Sequence, residues 1–189
     1  MPAADALRWN ARYAGLAGDA QASARPLLRT ALAWLPTAGL ALDVAMGLGG
    51  NGGLLLTRGL RVIGLDISAV AVRRAKARWP GLSAAVIDLT QLTLPPAVFD
   101  VILNFYYLDR ALWPQYRRAL KPGGVLVFET MTRAMVSVKP DLNPDHLLVP
   151  GELGAAFRDW DVLVDREGWH GGRAHRRAVA QLVARRPAE

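Results

Sequence analysis

Four polar residues recur at the ends of short apolar runs: Asp43, Asp66, Asp88 and Asn104. In a parallel sheet such ends crowd together in space although about twenty residues separate them along the chain, and ligands bind just beyond them. Alone, an acidic residue there is a turn former or helix cap. Four around one loop predict a pocket that accepts several hydroxyl and amino donors. Directly after the first run comes Gly47-Leu48-Gly49-Gly50-Asn51-Gly52-Gly53. Gly47 and Gly49 let the chain turn sharply and let a ligand approach the backbone closely. The helix that follows adds unpaired N–H groups and partial positive charge. Asp43 narrows the ligand. A carboxylate four residues before Gly47 repels a pyrophosphate and favours an ammonium or a sulfonium.

The elements needed to position these groups are legible as apolar runs alternating with amphipathic helices, the pattern of an α/β sheet covered on both faces. The runs are Leu40 to Val44, Arg61 to Leu65, Ala84 to Ile87, Asp100 to Leu103 and Val125 to Glu129. A helix is expected over Leu54 to Arg58, closed by Gly59, and another behind Ser68 as N-cap. A third carries Leu112, Tyr116 and Leu120 at spacing four and stops at Lys121-Pro122-Gly123-Gly124. Before the first run lie two helices, Asp5 to Ala14 and one from Pro26 to Leu35 that Pro36 ends. After the fifth run a long polar loop extends from Thr130 to about Pro150, then a short helix from Glu152 to Phe157. Trp160 to Arg166 and Ala174 to Ala184, joined by a turn at Glu167 to Arg173, read as two strands that pair antiparallel.

Composition sets the outer limits. With 189 residues, 52% of them hydrophobic, the chain is long enough for one domain and too apolar for disorder. It has no cysteine, which excludes disulfides and cysteine-ligated metal, and no metal site is expected. Ala38 to Leu56 is broken by Asp43, Asn51 and six glycines, so no membrane span is expected. The start has no basic head before an apolar run, so a soluble, cytoplasmic protein is the expectation. The net charge is +7, but the arginines form no single run with interleaved aromatics. Nucleic acid therefore stays open as a partner without being favoured.

Ala41-Leu42-Asp43-Val44-Ala45-Met46-Gly47-Leu48-Gly49 resembles the loop of the class I methyltransferases that use S-adenosylmethionine. Gly64-Leu65-Asp66-Ile67-Ser68, Val86-Ile87-Asp88-Leu89, Phe99-Asp100-Val101-Ile102 and the Lys-Pro-Gly-Gly turn follow in the family's order. Trp9-Asn10-Ala11-Arg12-Tyr13 and the loop from Asn143-Pro144-Asp145 to Pro150-Gly151-Glu152 look most like the small bacterial tellurite-resistance-type branch. The resemblance implies a Rossmann-like three-layer sandwich, with a mostly parallel seven-stranded sheet whose last strand is antiparallel. It implies one domain: an N-terminal helical cap over 1–37, a cofactor-binding core over 38–130, and a substrate-side loop, short helix and strand pair over 131–189.

The roles it implies are specific. Gly47 and Gly49 hold the methionine part of S-adenosylmethionine, with Asp43 near its amino group. Asp66, with Ile67 beside it, meets the ribose, and Asp88 with Leu89 the adenine. The Asn104 carbonyl holds the ammonium, and Arg12 and Tyr13 reach the methionine carboxylate. Ala45 departs from the glycine many relatives carry. Gly50, Gly52 and Gly53 are extra glycines that predict a looser loop.

Methyl transfer needs alignment of nucleophile, methyl and sulfur in a dry, partly aromatic pocket. Phe105, Tyr106 and Tyr107 are placed to wall it, and Trp9 and Tyr13 to cover it, although ordinary packing explains each as well. No general base stands out. His146 is the best-placed histidine, while His170 and His175 fall in or near the terminal turn. An acceptor that is already an anion or a soft nucleophile needs no base, and Arg110 or Arg133 would attract it. The expected partner is such a small molecule. Two other classes remain: a dinucleotide-binding NAD(P) oxidoreductase, with Asp66 nineteen residues past Gly47, and a non-catalytic binding module of the same fold. Asp43, Asp88 and the short remaining chain weigh against the oxidoreductase. Oligomeric state leaves no trace in the sequence.

Overall fold

The computed structural model describes residues 2–17, 23–172 and 176–188. Seven strands form one sheet in the order β3-β2-β1-β4-β5-β7-β6. They are β1 Leu40–Val44, β2 Arg61–Asp66, β3 Ser83–Val86, β4 Phe99–Phe105, β5 Leu120–Met131, β6 Asp161–His170 and β7 Arg177–Arg185. β1 to β5 are parallel, and β7 runs antiparallel between β5 and β6. The strand order reverses between β1 and β4, the position where an open α/β sheet leaves a crevice for ligands.

Side chains alternate across the sheet and so feed two apolar layers. Ala41, Val101, Leu103, Val125, Val127 and Val183 face α2 (Pro26–Ala31), α3 (Gly50–Thr57) and α4 (Ala69–Arg78). Leu42, Ile102, Leu126, Phe128 and Leu182 face α5 (Trp113–Ala119) and α6 (Glu152–Ala156). α1 (Pro2–Ala14) lies outside these layers and packs on α4. Among the described residues, no helix is long and apolar enough to cross a membrane.

Several boundaries differ from the sequence expectation. α3 begins at Gly50, four residues before Leu54, and its four-residue start Gly50 to Gly53 is buried. The extra glycines are packing positions, not a loose loop: a Cβ at Gly53 would lie 2.2 Å from the Trp79 ring. Leu120 does not extend α5; it opens β5 by pairing with Phe99. Asp88 lies two residues past β3. The polar loop carries two short 3-10 turns, Arg133–Ser137 and Pro144–His146, and a bridge from Thr132 to Leu148. β6 runs on to His170, past the expected end at Arg166, and residues 173–175, including His175, lie outside the described residues.

Candidate functional site

The β1–α3 turn is built on left-handed backbone at Ala45, Gly47 and Gly49, with φ of 52°, 56° and 71°. Glycine adopts such angles freely, whereas Ala45 pays about 1–2 kcal/mol for the same geometry. Two of the four strand-end carboxamide or carboxylate groups meet at this turn. Asp43 Oδ2 accepts the Gly52 N–H at 3.0 Å, and Asp66 Oδ2 accepts the Gly47 N–H at 2.8 Å. Asp66 Oδ1 also accepts the Ser68 N–H at 2.8 Å, ahead of α4, which Ser68 caps as expected.

Both carboxylates are buried, and their titration follows. Burial pushes the Asp43 carboxyl up to about 7, opposed by the Gly52 N–H and reinforced by the Asp66 charge. Burial raises Asp66 as well, against hydrogen bonds from Ser68, Gly47 and Ile67. Asp43 Oδ1 is buried with no hydrogen-bond partner. Such an atom is costly unless something charged or polar meets it.

The other two strand ends are engaged locally. Asp88 Oδ1 accepts from the Thr90 N–H at 3.0 Å and hydroxyl at 2.9 Å, and so caps a turn over Leu89–Gln91. The Asn104 side chain faces α5. Its Nδ2 donates to the Tyr107 carbonyl at 2.7 Å, and its Oδ1 accepts the Tyr116 hydroxyl at 2.8 Å. The four-membered acceptor ring expected from the sequence is therefore a pair, Asp43 and Asp66, with Asp88 and the Asn104 backbone flanking it. Asp100, in the third motif, sits at the opposite ends of the strands. There it accepts from the Leu40 N–H at 2.8 Å and from Lys121 at 2.9 Å, a structural tie.

α1 crosses above the turn. Tyr13 is half-buried, and its hydroxyl would lie 2.7 Å from a Cβ at Gly47; burial first and the Asp66 charge second push it up to about 12. Asn10, which the sequence reading gave no role, anchors this helix. Its Oδ1 accepts the Ser68 hydroxyl at 2.7 Å and the Val70 N–H at 3.1 Å. Its signal was its place in Trp9-Asn10-Ala11-Arg12-Tyr13, where the branch resemblance, the carboxylate contacts of Arg12 and Tyr13 and the cover of Trp9 and Tyr13 left Asn10 without a role. Arg12 is exposed and lies over the Trp9 ring, 5.5 Å from its centroid.

Beyond β4 and β5 a second polar group appears. Tyr106 has φ 59°, rare for a bulky residue, and its N–H donates to the Glu129 carbonyl at 2.8 Å. Glu129 is buried and accepts from the Gln181 amide. Gln181 in turn accepts from Arg166 at 2.8 Å. Glu129 obeys the same strand-end rule that singled out Asp43, but its partner lies 52 positions away. Phe105 is core. The loop candidates lie apart: Arg110 pairs with Glu152 and donates to the Asp145 and Leu147 carbonyls, so it pins the loop and is not held out toward a ligand. His146, His170 and Arg133 are exposed.

The family described as methyltransferase domain matches residues 41–124, from β1 through the turn to the start of β5. The chain is 33% identical over 156 residues to a Mycolicibacterium smegmatis protein named "Probable S-adenosylmethionine-dependent methyltransferase", covering 76% of this chain and 58% of that one. By this domain match and this relative the chain is similar to the S-adenosylmethionine-dependent methyltransferases. It is also 34% identical over 128 residues to a malonyl-[acyl-carrier protein] O-methyltransferase of Herminiimonas arsenicoxydans, covering 65% of this chain and 48% of that one. It spans about half the length of the curated relatives it matches. In fold it is similar to a structure described for conversion of a disulfide bond into a thioacetal group during echinomycin biosynthesis, with TM-score 0.74, 19% identity and coverage of 97% and 93%. TehB from Haemophilus influenzae superposes with TM-score 0.70 at 16% identity, covering 85% of this chain and 61% of that one. These matches do not favour the oxidoreductase alternative.

Proposed function

We propose that this chain transfers a methyl group from S-adenosylmethionine to a small-molecule acceptor that is an anion or a soft nucleophile. The observation that carries the cofactor reading is the orphaned, buried Asp43 Oδ1 beside the Gly47–Gly49 turn. An ammonium or sulfonium satisfies that atom and stabilises its charge, whereas a polyphosphate does neither. S-adenosylmethionine supplies an electrophilic methyl on a positively charged sulfur.

The chain's own residues then divide the work. Ala45, Gly47 and Gly49 offer a close-approach backbone. Asp43 and the Asn104 carbonyl receive the ammonium. Asp66 has both oxygens on backbone donors, but each keeps a second lone pair for a ribose hydroxyl. Ile67 lies alongside, and Asp88 and Leu89 face the base. Tyr13, already over Gly47, reaches the carboxylate together with Arg12, which must leave the Trp9 ring to do so. In this scheme 1–37 caps, 38–130 binds the cofactor and 131–189 faces the acceptor, all within one domain. No proton acceptor is assigned to His146 or Arg133. The protein acts in the cytoplasm, and nucleic acid is not the favoured partner.

Calorimetric titration tests this directly. S-adenosylmethionine and S-adenosylhomocysteine should bind saturably, nicotinamide dinucleotides should not, and Asp66→Ala should abolish the signal. Preference for the dinucleotides would overturn the reading.

A further inference from the structure

The polar group around Tyr106 is left unused by the cofactor. The Arg25 and Arg177 guanidiniums both lie over the Tyr106 ring, 4.6 and 5.1 Å from its centroid. Burial first and Glu129 second push the Tyr106 hydroxyl up, opposed by Arg177 and Arg25. Glu129, only 4% exposed, is held from its other side by Gln181. Among the described residues, neither Arg25 nor Arg177 is ion-paired with a carboxylate. With Arg166 behind Gln181, three cations surround one anion. Arg25 also links this group to the cofactor end: its N–H donates to Asn51 Oδ1 of α3 at 2.9 Å, and its charge acts on Tyr13.

We propose that Arg25, Arg177 and Tyr106 form the acceptor subsite and that it takes a small molecule bearing an oxyanionic group, a carboxylate or a phosphate. This rests on the methyltransferase reading, which it deepens by naming where the acceptor is held. Two guanidiniums near one ring repel each other, and Glu129 offsets one charge only. An oxyanion between them removes the repulsion and gains charge-assisted, bidentate hydrogen bonds. Tyr106 supplies the rigid platform. Its left-handed backbone is strain held in place by the Glu129 carbonyl, and the two guanidiniums over its ring fix its plane. Of the two sequence candidates for attracting an anion, Arg110 is already consumed by Glu152 and Arg133 is exposed on the loop after β5.

The test titrates sodium benzoate and sodium phosphate into the chain, alone and saturated with S-adenosylhomocysteine. The proteins are wild type, Arg25→Gln, Arg177→Gln and, as a charge control, the exposed Arg29→Gln. Saturable anion binding should weaken at least tenfold in Arg25→Gln and Arg177→Gln and less than twofold in Arg29→Gln. S-adenosylhomocysteine affinity should stay within threefold in Arg177→Gln. Preference for benzoate or for phosphate tells a carboxylate handle from a phosphoryl one. Equal loss in Arg29→Gln, or none in the two site variants, overturns the subsite. Failure of S-adenosylhomocysteine to bind any of the four overturns the cofactor reading instead, while the anion titration of the chain alone still reads the subsite. If a glutamine variant unfolds on heating well below wild type, Arg177→Lys and Tyr106→Phe take its place. The first keeps charge without the fork and the second keeps the ring without its hydroxyl donor, and each should weaken the anion.

Discussion

Replacing Asp43 by asparagine should strengthen the fold and weaken the ligand at once. The carboxyl is raised to about 7 in the folded chain, mainly by burial, against about 3.9 when unfolded. Between those values the folded chain holds a proton that the unfolded chain has lost, so stability falls as pH rises through the window. Three units at 1.36 kcal/mol each make about 4 kcal/mol of destabilisation above pH 7 and almost none at pH 4. Asparagine keeps the acceptor for the Gly52 N–H and cannot ionise. The charged and titratable groups facing it, Asp66 from β2 and Tyr13 from α1, are common to both proteins and largely cancel in the difference.

Thermal denaturation of wild type and Asp43→Asn between pH 5 and pH 8 reads this out. The variant's advantage should widen by about 2–3 kcal/mol, or about 5–10 °C in Tm for a chain of this size. Ligand affinity should move the other way. S-adenosylhomocysteine carries the same ammonium, so its affinity for wild type should rise about tenfold per pH unit up to pH 7 and then level off. The variant should bind weakly, without that slope. Parallel Tm profiles for the two proteins would refute the burial argument. A variant that binds as tightly as wild type would show that Asp43 serves only to hold Gly52.

Two further perturbations probe the frame around the turn. Asn10→Ala removes both acceptor contacts to the start of α4, at a cost of about 1–2 kcal/mol. Amide exchange should accelerate across α1 while the sheet stays protected; unchanged exchange in α1 would mean that other contacts hold it. Gly53→Ala adds a methyl where Trp79 leaves 2.2 Å. Chemical denaturation should show a loss of about 1–3 kcal/mol from overpacking, although alanine is the better helix former by about 1 kcal/mol. A stabilised variant would mean that Trp79 moves aside freely.

The parallel strands were legible because burial on both faces forces continuous apolar runs, and the polar residue that ends each run marks the carboxyl edge of the sheet. Asp43, Asp66 and the Ser68 cap followed from that pattern alone. α3 misled because glycine is a poor helix former, and only distant neighbours, the Trp79 ring twenty-six positions beyond Gly53 and Leu82 against Gly52, explain the small residues in its buried first turn. Leu120 misled because its spacing from Tyr116 fits a helix, while its pairing with Phe99 is visible only across the sheet. The Tyr106 group is non-local throughout. Arg25 precedes α2, Glu129 lies two residues before the end of β5, and Arg177 and Gln181 lie on the antiparallel strand. No local spacing connects them.

The sheet order sorts charge. Asp43 and Asp66 stand at the ends of β1 and β2, on the face covered by α2, α3 and α4. On the same face, past the switch between β1 and β4, stand Glu129 and Gln181, with Arg166 and Arg177 beyond them. One side of the crevice is acidic and buried, the other basic around a fixed aromatic ring. On the proposed function, this arrangement would drive a cationic donor and an anionic acceptor to opposite sides of the switch. Arg25 sits between, bound through its backbone to α3 and through its guanidinium to Tyr106. Exchanging the charges on the two sides would leave every strand in place and remove the preference that brings sulfur, methyl and nucleophile into one line.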